Sequence, residues 1–74
     1  MRIGILQAFN HHSLIILPGV KGFQVSNSDL KEVQDGHTLS ADAKIEHVLP
    51  QPISGNGTTV HVPEEVVSRV LANG

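Results

Sequence analysis

Five histidines are the side chains of this chain best suited to chemistry: His11 and His12 side by side, then His37, His47 and His61. Neutral imidazole ligates zinc, and its proton exchange falls near neutral pH. Neighbouring residues on a strand point to opposite faces, so His11 and His12 can share one ion only from a turn. His47 falls on the apolar face of one candidate strand and His61 on the next. Across an antiparallel pair the two would come within reach of a single zinc. No compact ligand pattern accompanies them, and the simpler reading is a buried, hydrogen-bonded His47 and an exposed His61. A His-dependent metal-binding or pH-responsive module is therefore one expectation, with no metal ligand and no cofactor assigned. Formal charge is −2 with His neutral. Below about pH 6 the five imidazoles would turn it positive, because free His titrates near 6.5.

Other catalytic patterns are missing. Ser, His and Asp all occur, but nothing resembles the nucleophile elbow that exposes a serine on a sharp strand-to-helix turn. Gly55-Asn56-Gly57-Thr58-Thr59 has backbone amides to offer a phosphate, yet a phosphate loop also needs Lys and a following helix. Here the next residues are β-branched and read as a strand, so the segment reads as a hairpin turn. Asn56-Gly57-Thr58 has glycosylation spacing, and without a secretory signal it too reads as a turn. No catalytic residue is assigned, and the chain is not expected to be an enzyme.

Composition narrows the partners. The basic residues Arg2, Lys21, Lys31, Lys44 and Arg69 are scattered, and Trp and Tyr are absent. Nucleic-acid binders concentrate positive charge on one face and often add stacking aromatics, so this partner class is disfavoured. No apolar stretch approaches the roughly 20 residues that span a bilayer, so no membrane partner is expected. No basic n-region leads into an apolar h-region, so no signal peptide is expected; the compartment stays unknown, with cytoplasm or virion as the expectation. Cys is absent, so disulfides and thiolate metal sites are excluded.

The elements that would position any site follow from hydrophobic pattern and turn residues. Residues 2–9 read as a strand, Asn10-His11-His12-Ser13 as a turn, and residues 14–17 as the returning strand of a hairpin. Pro18-Gly19 ends it, and Val20-Lys21-Gly22 turns the chain again. Phe23-Gln24-Val25-Ser26 alternates as a short strand. Between Asn27 and Gly36, Asp29 and Glu32 have capping-box spacing and Gly36 suits a left-handed stop. That stretch is either one short helical turn or a structured loop. Ala43 to Leu49 alternates, with Ala43, Ile45, His47 and Leu49 on one face. Pro50-Gln51-Pro52 breaks the strand, Ser54-Gly55-Asn56-Gly57 turns, and Thr58 to Val62 is the next strand. Pro63, Glu64 and Glu65 then suit the start of a helix, with Val66, Val67, Val70 and Leu71 on one stripe. The expected fold is α+β and mainly β: one small domain over residues 1–74, with a sheet or partly open barrel of about five short strands. An N-terminal hairpin opens it and an amphipathic helix closes it.

Two stretches, Val20-Lys21-Gly22-Phe23-Gln24-Val25 and Val60-His61-Val62-Pro63-Glu64-Glu65-Val66, resemble parts of the carbon-storage regulator family of small RNA-binding β dimers. The segment between them is far longer than in that family, and Val62-Pro63 stands where the family has a basic recognition residue. Val60 to Leu71 also resembles the strand-Pro-Glu-helix element of AbrB-type swapped-hairpin DNA binders. These resemblances imply a small dimeric nucleic-acid-binding regulator as an alternative function.

The leading expectation comes from the aliphatic runs Ile3-Gly4-Ile5-Leu6 and Leu14-Ile15-Ile16-Leu17. A strand with one wet face alternates; these runs do not, so both faces need cover. A chain of 74 residues has little to cover them with, since domains near this size bury only about 60% of their unfolded surface. Its core must come from 22 Val, Ile and Leu residues with Phe9 and Phe23. Small domains lacking disulfides and metals often gain support from oligomerisation. This points to a non-enzymatic structural or interaction protein, a homo-oligomer or the small subunit of a larger particle such as a phage capsid decoration or cement protein. The expected interface residues are Ile3, Ile5, Leu6, Leu14, Ile15, Ile16, Leu17, Val66 and Val70.

Overall fold

The computed structural model of the protein describes residues 2–20, 22–47 and 57–73. They form strands β1 (Arg2–Ala8), β2 (His12–Ile16) and β3 (Phe23–Ser26), a 3-10 turn (Asn27–Asp29), then β4 (Leu30–Val33) and β5 (Gly36–Leu39). Strands β6 (Ile45–His47) and β7 (Thr58–Val62) and helix α1 (Glu64–Asn73) complete them. The seven strands make one curled half-barrel sheet in the order β4-β5-β7-β1-β2-β3-β6. The mainly β architecture with a C-terminal helix is as expected, with seven strands rather than about five.

The opening hairpin forms where the apolar runs place it. Ile5 pairs with Ile16, Leu6 with Ile15, Gln7 with Leu14 and Ala8 with Ser13. Phe9 N–H donates to His12 O at 2.8 Å, which closes the hairpin around Asn10 and His11. After β2, Val20 N–H reaches back to Leu17 O at 3.4 Å. Pro18 supplies its fixed φ at the first central position and Gly19, at φ 81°, supplies the positive φ of the second, the type II arrangement. β3 then runs antiparallel to β2, and β6 antiparallel to β3.

The stretch after β3 departs from expectation. Ser26 Oγ accepts from Ser28 N–H at 3.3 Å and starts a single 3-10 turn. The chain then extends instead of continuing as a helix, because Leu30–Val33 finds a strand partner in Gly36–Leu39. Val33 opposite Gly36 leaves Gln34 and Asp35 as a two-residue loop. Gly36 is therefore not a helix stop but the first residue of β5, which pairs parallel to β7 through His37↔Val60 and Thr38↔His61. Its φ is 143°, and a Cβ there would lie 2.3 Å from Thr59 O, so only glycine permits this approach.

The core lies on the concave side. Leu6, Ile15, Phe23, Val25, Leu39, Val60 and Val62 of the sheet meet Val66, Val67 and Val70 of α1 in one buried cluster, with Leu17 and Ala43. Pro63 O accepts from Val66 and Val67 N–H at 3.0 and 3.1 Å to begin the helix. Leu71, expected on the buried stripe, is 52% exposed: a helix ten residues long buries a face only as wide as the open side of the sheet. Arg69 ties the loop before β6 to the helix, donating to Ala43 O at 2.7 Å and to Ala41 O at 2.6 Å. Phe9, counted toward the core from sequence, lies exposed past the end of β1. The expected strand residues Val48 and Leu49, the Pro50–Pro52 break and the turn before Gly57 lie outside the described residues.

The two faces of the hairpin should respond differently to charge. Ile15 is fully buried, and a lone carboxylate there costs several kcal/mol, a large part of the roughly 5–15 kcal/mol that holds a small domain together. Ile15→Asp should abolish the cooperative thermal transition seen by circular dichroism. Ile5→Asp, on the outward face, should keep it.

Candidate functional site

Alternation along β1 divides the apolar residues. Gly4 and Leu6 face the core, whereas Ile3 and Ile5 face outward, 59% and 42% exposed. β1 is the fourth strand of seven, so this exposed pair sits at the middle of the sheet and not at its edge. Half-exposed Ile16 lies opposite Ile5 on β2, while His61 and Thr59 of β7 lie opposite Ile3 and Ile5. Of the nine residues expected at an interface, Ile3, Ile5 and Ile16 are available on this outer face. Leu6, Leu14, Ile15, Leu17, Val66 and Val70 are buried within the chain itself. Leu6, Ile15, Leu17, Val66 and Val70 belong to the cluster that the curled sheet and α1 enclose, whereas Leu14 is buried outside that cluster, on the face of β2 that it shares with Ile16.

On the concave side a polar cavity of about 320 Å³ opens beyond the core. Its floor includes Leu6 and Leu30, and its polar lining is Ser13, Asn27, Glu32 and His37. Asn27 organises one wall. Its Oδ1 accepts from the buried Ser13 hydroxyl at 2.5 Å, and its Nδ2 donates to Phe9 O at 3.0 Å and Asn10 O at 3.4 Å. Its backbone N–H donates to His11 O at 3.0 Å. One side chain thus satisfies a buried hydroxyl and clamps the hairpin tip to the 3-10 turn. On the other wall, Glu32 and His37 face each other across β4 and β5. His37 Nδ1 is buried and makes no hydrogen bond to the protein. Composition offers no signal for this cavity: Ser13 and Asn27 are 14 residues apart, and the β4–β5 hairpin that carries Glu32 and His37 was not anticipated.

A second, larger cavity of about 510 Å³ is lined by His12, Lys44 and the carboxylates Asp29, Asp42 and Glu46. Lys44 is therefore set among acidic groups. Arg2 is ion-paired to Glu64 at 3.8 Å and Arg69 is occupied by the loop carbonyls. Among the described residues no three His, Asp or Glu side chains cluster to hold a metal. The imagined pairing of His47 with His61 does not occur, because β1, β2 and β3 separate β7 from β6. His11 and His12 are both exposed at the hairpin tip. Of the Gly-Asn-Gly-Thr-Thr segment, positions 55 and 56 lie outside the described residues, and Thr58 and Thr59 belong to β7. No helix among the described residues is long and apolar enough to cross a membrane.

No family, curated protein or solved structure matches the chain.

The Asn27 clamp generates a graded expectation. Asn27→Ala strands the buried Ser13 hydroxyl and frees two backbone carbonyls, and should cost about 1–3 kcal/mol in urea unfolding. Ser13→Ala removes the buried group together with its need for a partner and should cost less. Amide exchange around Asn10 and His11 should accelerate in Asn27→Ala and not in Ser13→Ala.

Proposed function

We propose that this protein is a non-enzymatic assembly component that associates through the outer face of β1, with a second copy of the chain as the partner. The observation that carries this reading is the exposure of Ile3 and Ile5 on the central strand, beside half-exposed Ile16. An outward pair of isoleucines is a poor choice for a strand that faces only water, where polar residues alternate with core residues at no loss of sheet propensity. A second copy is favoured because a twofold contact is self-complementary: the same apolar patch serves both sides. The flanking positions on β7 are Thr59 and His61, which place no carboxylate or ammonium against the apolar centre. Size is compatible as well. A standard interface takes about 800 Å² from each partner, roughly one sixth of the chain's 4754 Å² accessible surface.

The regulator reading has less support. Arg2 and Arg69 are engaged within the fold and Lys44 is surrounded by carboxylates, so these three cations do not make a phosphate-binding face.

Sedimentation equilibrium and native mass spectrometry test the proposal. The parent protein should show a concentration-dependent dimer or higher oligomer. Ile5→Lys, which sets ammonium groups against each other across the twofold, should be a monomer with an unchanged circular dichroism spectrum. A parent that remains a monomer at its highest soluble concentration, or an Ile5→Lys variant that associates as the parent does, would overturn it.

A further inference from the structure

We propose that the cavity between the hairpin end and the β4–β5 pair is a binding site for a small organic ammonium ion bearing a short aliphatic tail. The argument is independent of the assembly reading, because the cavity lies on the opposite side of β1 from Ile3 and Ile5.

The class of ligand follows from what the lining can still do. The Ser13 hydroxyl proton goes to Asn27 Oδ1, and the Asn27 amide protons go to Phe9 O and Asn10 O. Both side chains have therefore committed their donors and keep only acceptor capacity. Glu32 has no hydrogen bond or ion pair to the described residues, and an ionised carboxylate is acceptor-only. His37 lines the cavity as well, but its Nδ1 is buried beneath the surface that a ligand touches, which leaves Glu32 and Asn27 as the acceptors on offer. Among the described residues no Lys or Arg lines the cavity. A wall of acceptors with one carboxylate calls for a ligand rich in donors and positively charged, which an ammonium group supplies in three N–H bonds.

The remainder of the lining sets the tail. Leu6 and Leu30 form an aliphatic floor beside the acceptors, suited to a few methylenes. The volume, about 320 Å³, is at the small end of the roughly 300–1,000 Å³ typical of ligand pockets. A metal ion fits less well: among the described residues Glu32 and His37 are the only charged or imidazole side chains on the lining, one short of the three protein ligands that zinc takes even in open sites.

Nuclear magnetic resonance titration of the isotope-labelled full chain decides the matter, with n-butylammonium chloride as the probe. Sodium chloride, n-butanol and zinc chloride serve as comparisons. The expected result is saturable shifts of the amides of Ser13, Asn27, Glu32 and His37 with n-butylammonium alone. Glu32→Gln should weaken the affinity by roughly tenfold or more, as loss of a charge-assisted hydrogen bond would. Lys31→Gln, one residue away on the other side of β4, should bind as the parent does. Glu32 is exposed on an edge strand, so its variant should keep the parent's melting temperature. Absence of saturable shifts, equal response to n-butanol, saturation of the same amides by zinc at lower concentration, or an unweakened Glu32→Gln would each overturn the proposal.

Discussion

The fold depends on the closure of one concave side by three valines. A half-barrel of short strands curls its apolar side chains inward but leaves one side open. Among the described residues the element that covers it is a ten-residue helix. β-branched residues are not strong helix formers, and a helix this short is marginal by itself. Val66, Val67 and Val70 are nevertheless what a tight concave surface requires: short, stiff side chains that seat against Val60, Val62, Ile15 and Phe23 without needing depth. The helix is stable because the sheet receives it, and the sheet has a sealed core because the helix is there. Arg69 reinforces the same contact from the rim by holding the Ala41–Ala43 carbonyls against the helix.

Local chemistry made much of this legible. The Pro18-Gly19 turn, the alternation of Phe23–Ser26, the β-branched run Thr58–Val62 and the Pro63-Glu64-Glu65 helix start each carry their own short-range signal, and each element formed where that signal lay. The stretch from Asn27 to Gly36 did not yield in the same way. Asp29 and Glu32 have the spacing of a helix cap, but a cap adds only about 1 kcal/mol. Pairing with Gly36–Leu39, and through it with β7, offered the same residues a continuous hydrogen-bonded ladder. The parallel pairing of β5 with β7, more than 20 residues later in the chain, is a long-range choice that no local pattern announces.

The candidate sites were legible to different degrees for the same reason. The N-terminal hairpin reads as too apolar for a one-sided strand because unbroken aliphatic runs are visible in sequence. Which of those residues the chain could cover by itself depended on curl and on α1, and these took Leu6, Ile15 and Leu17 inside. Ile3, Ile5 and Ile16 are the aliphatic residues of those runs left exposed or half-exposed. The polar cavity was invisible because its members come from β2, the 3-10 turn, β4 and β5, and meet only when the β4–β5 hairpin has formed.

The alternation of β1 keeps these two surfaces apart. Its odd positions, Ile3 and Ile5, look outward; its even positions, Leu6 and Ala8, look toward the core and the cavity. One strand therefore serves two environments with no shared side chain, and a change on one face need not be felt as packing on the other. The coupling that does exist runs through the hairpin tip. Asn27 holds Phe9 and Asn10 by their carbonyls and Ser13 by its hydroxyl, so the end of β1 and the wall of the cavity are fixed by one residue. Loosening that residue would disturb the cavity directly. It would reach the outer face only by letting β1 slide against β2, which the Leu6↔Ile15 pair, buried at the centre of the core, resists.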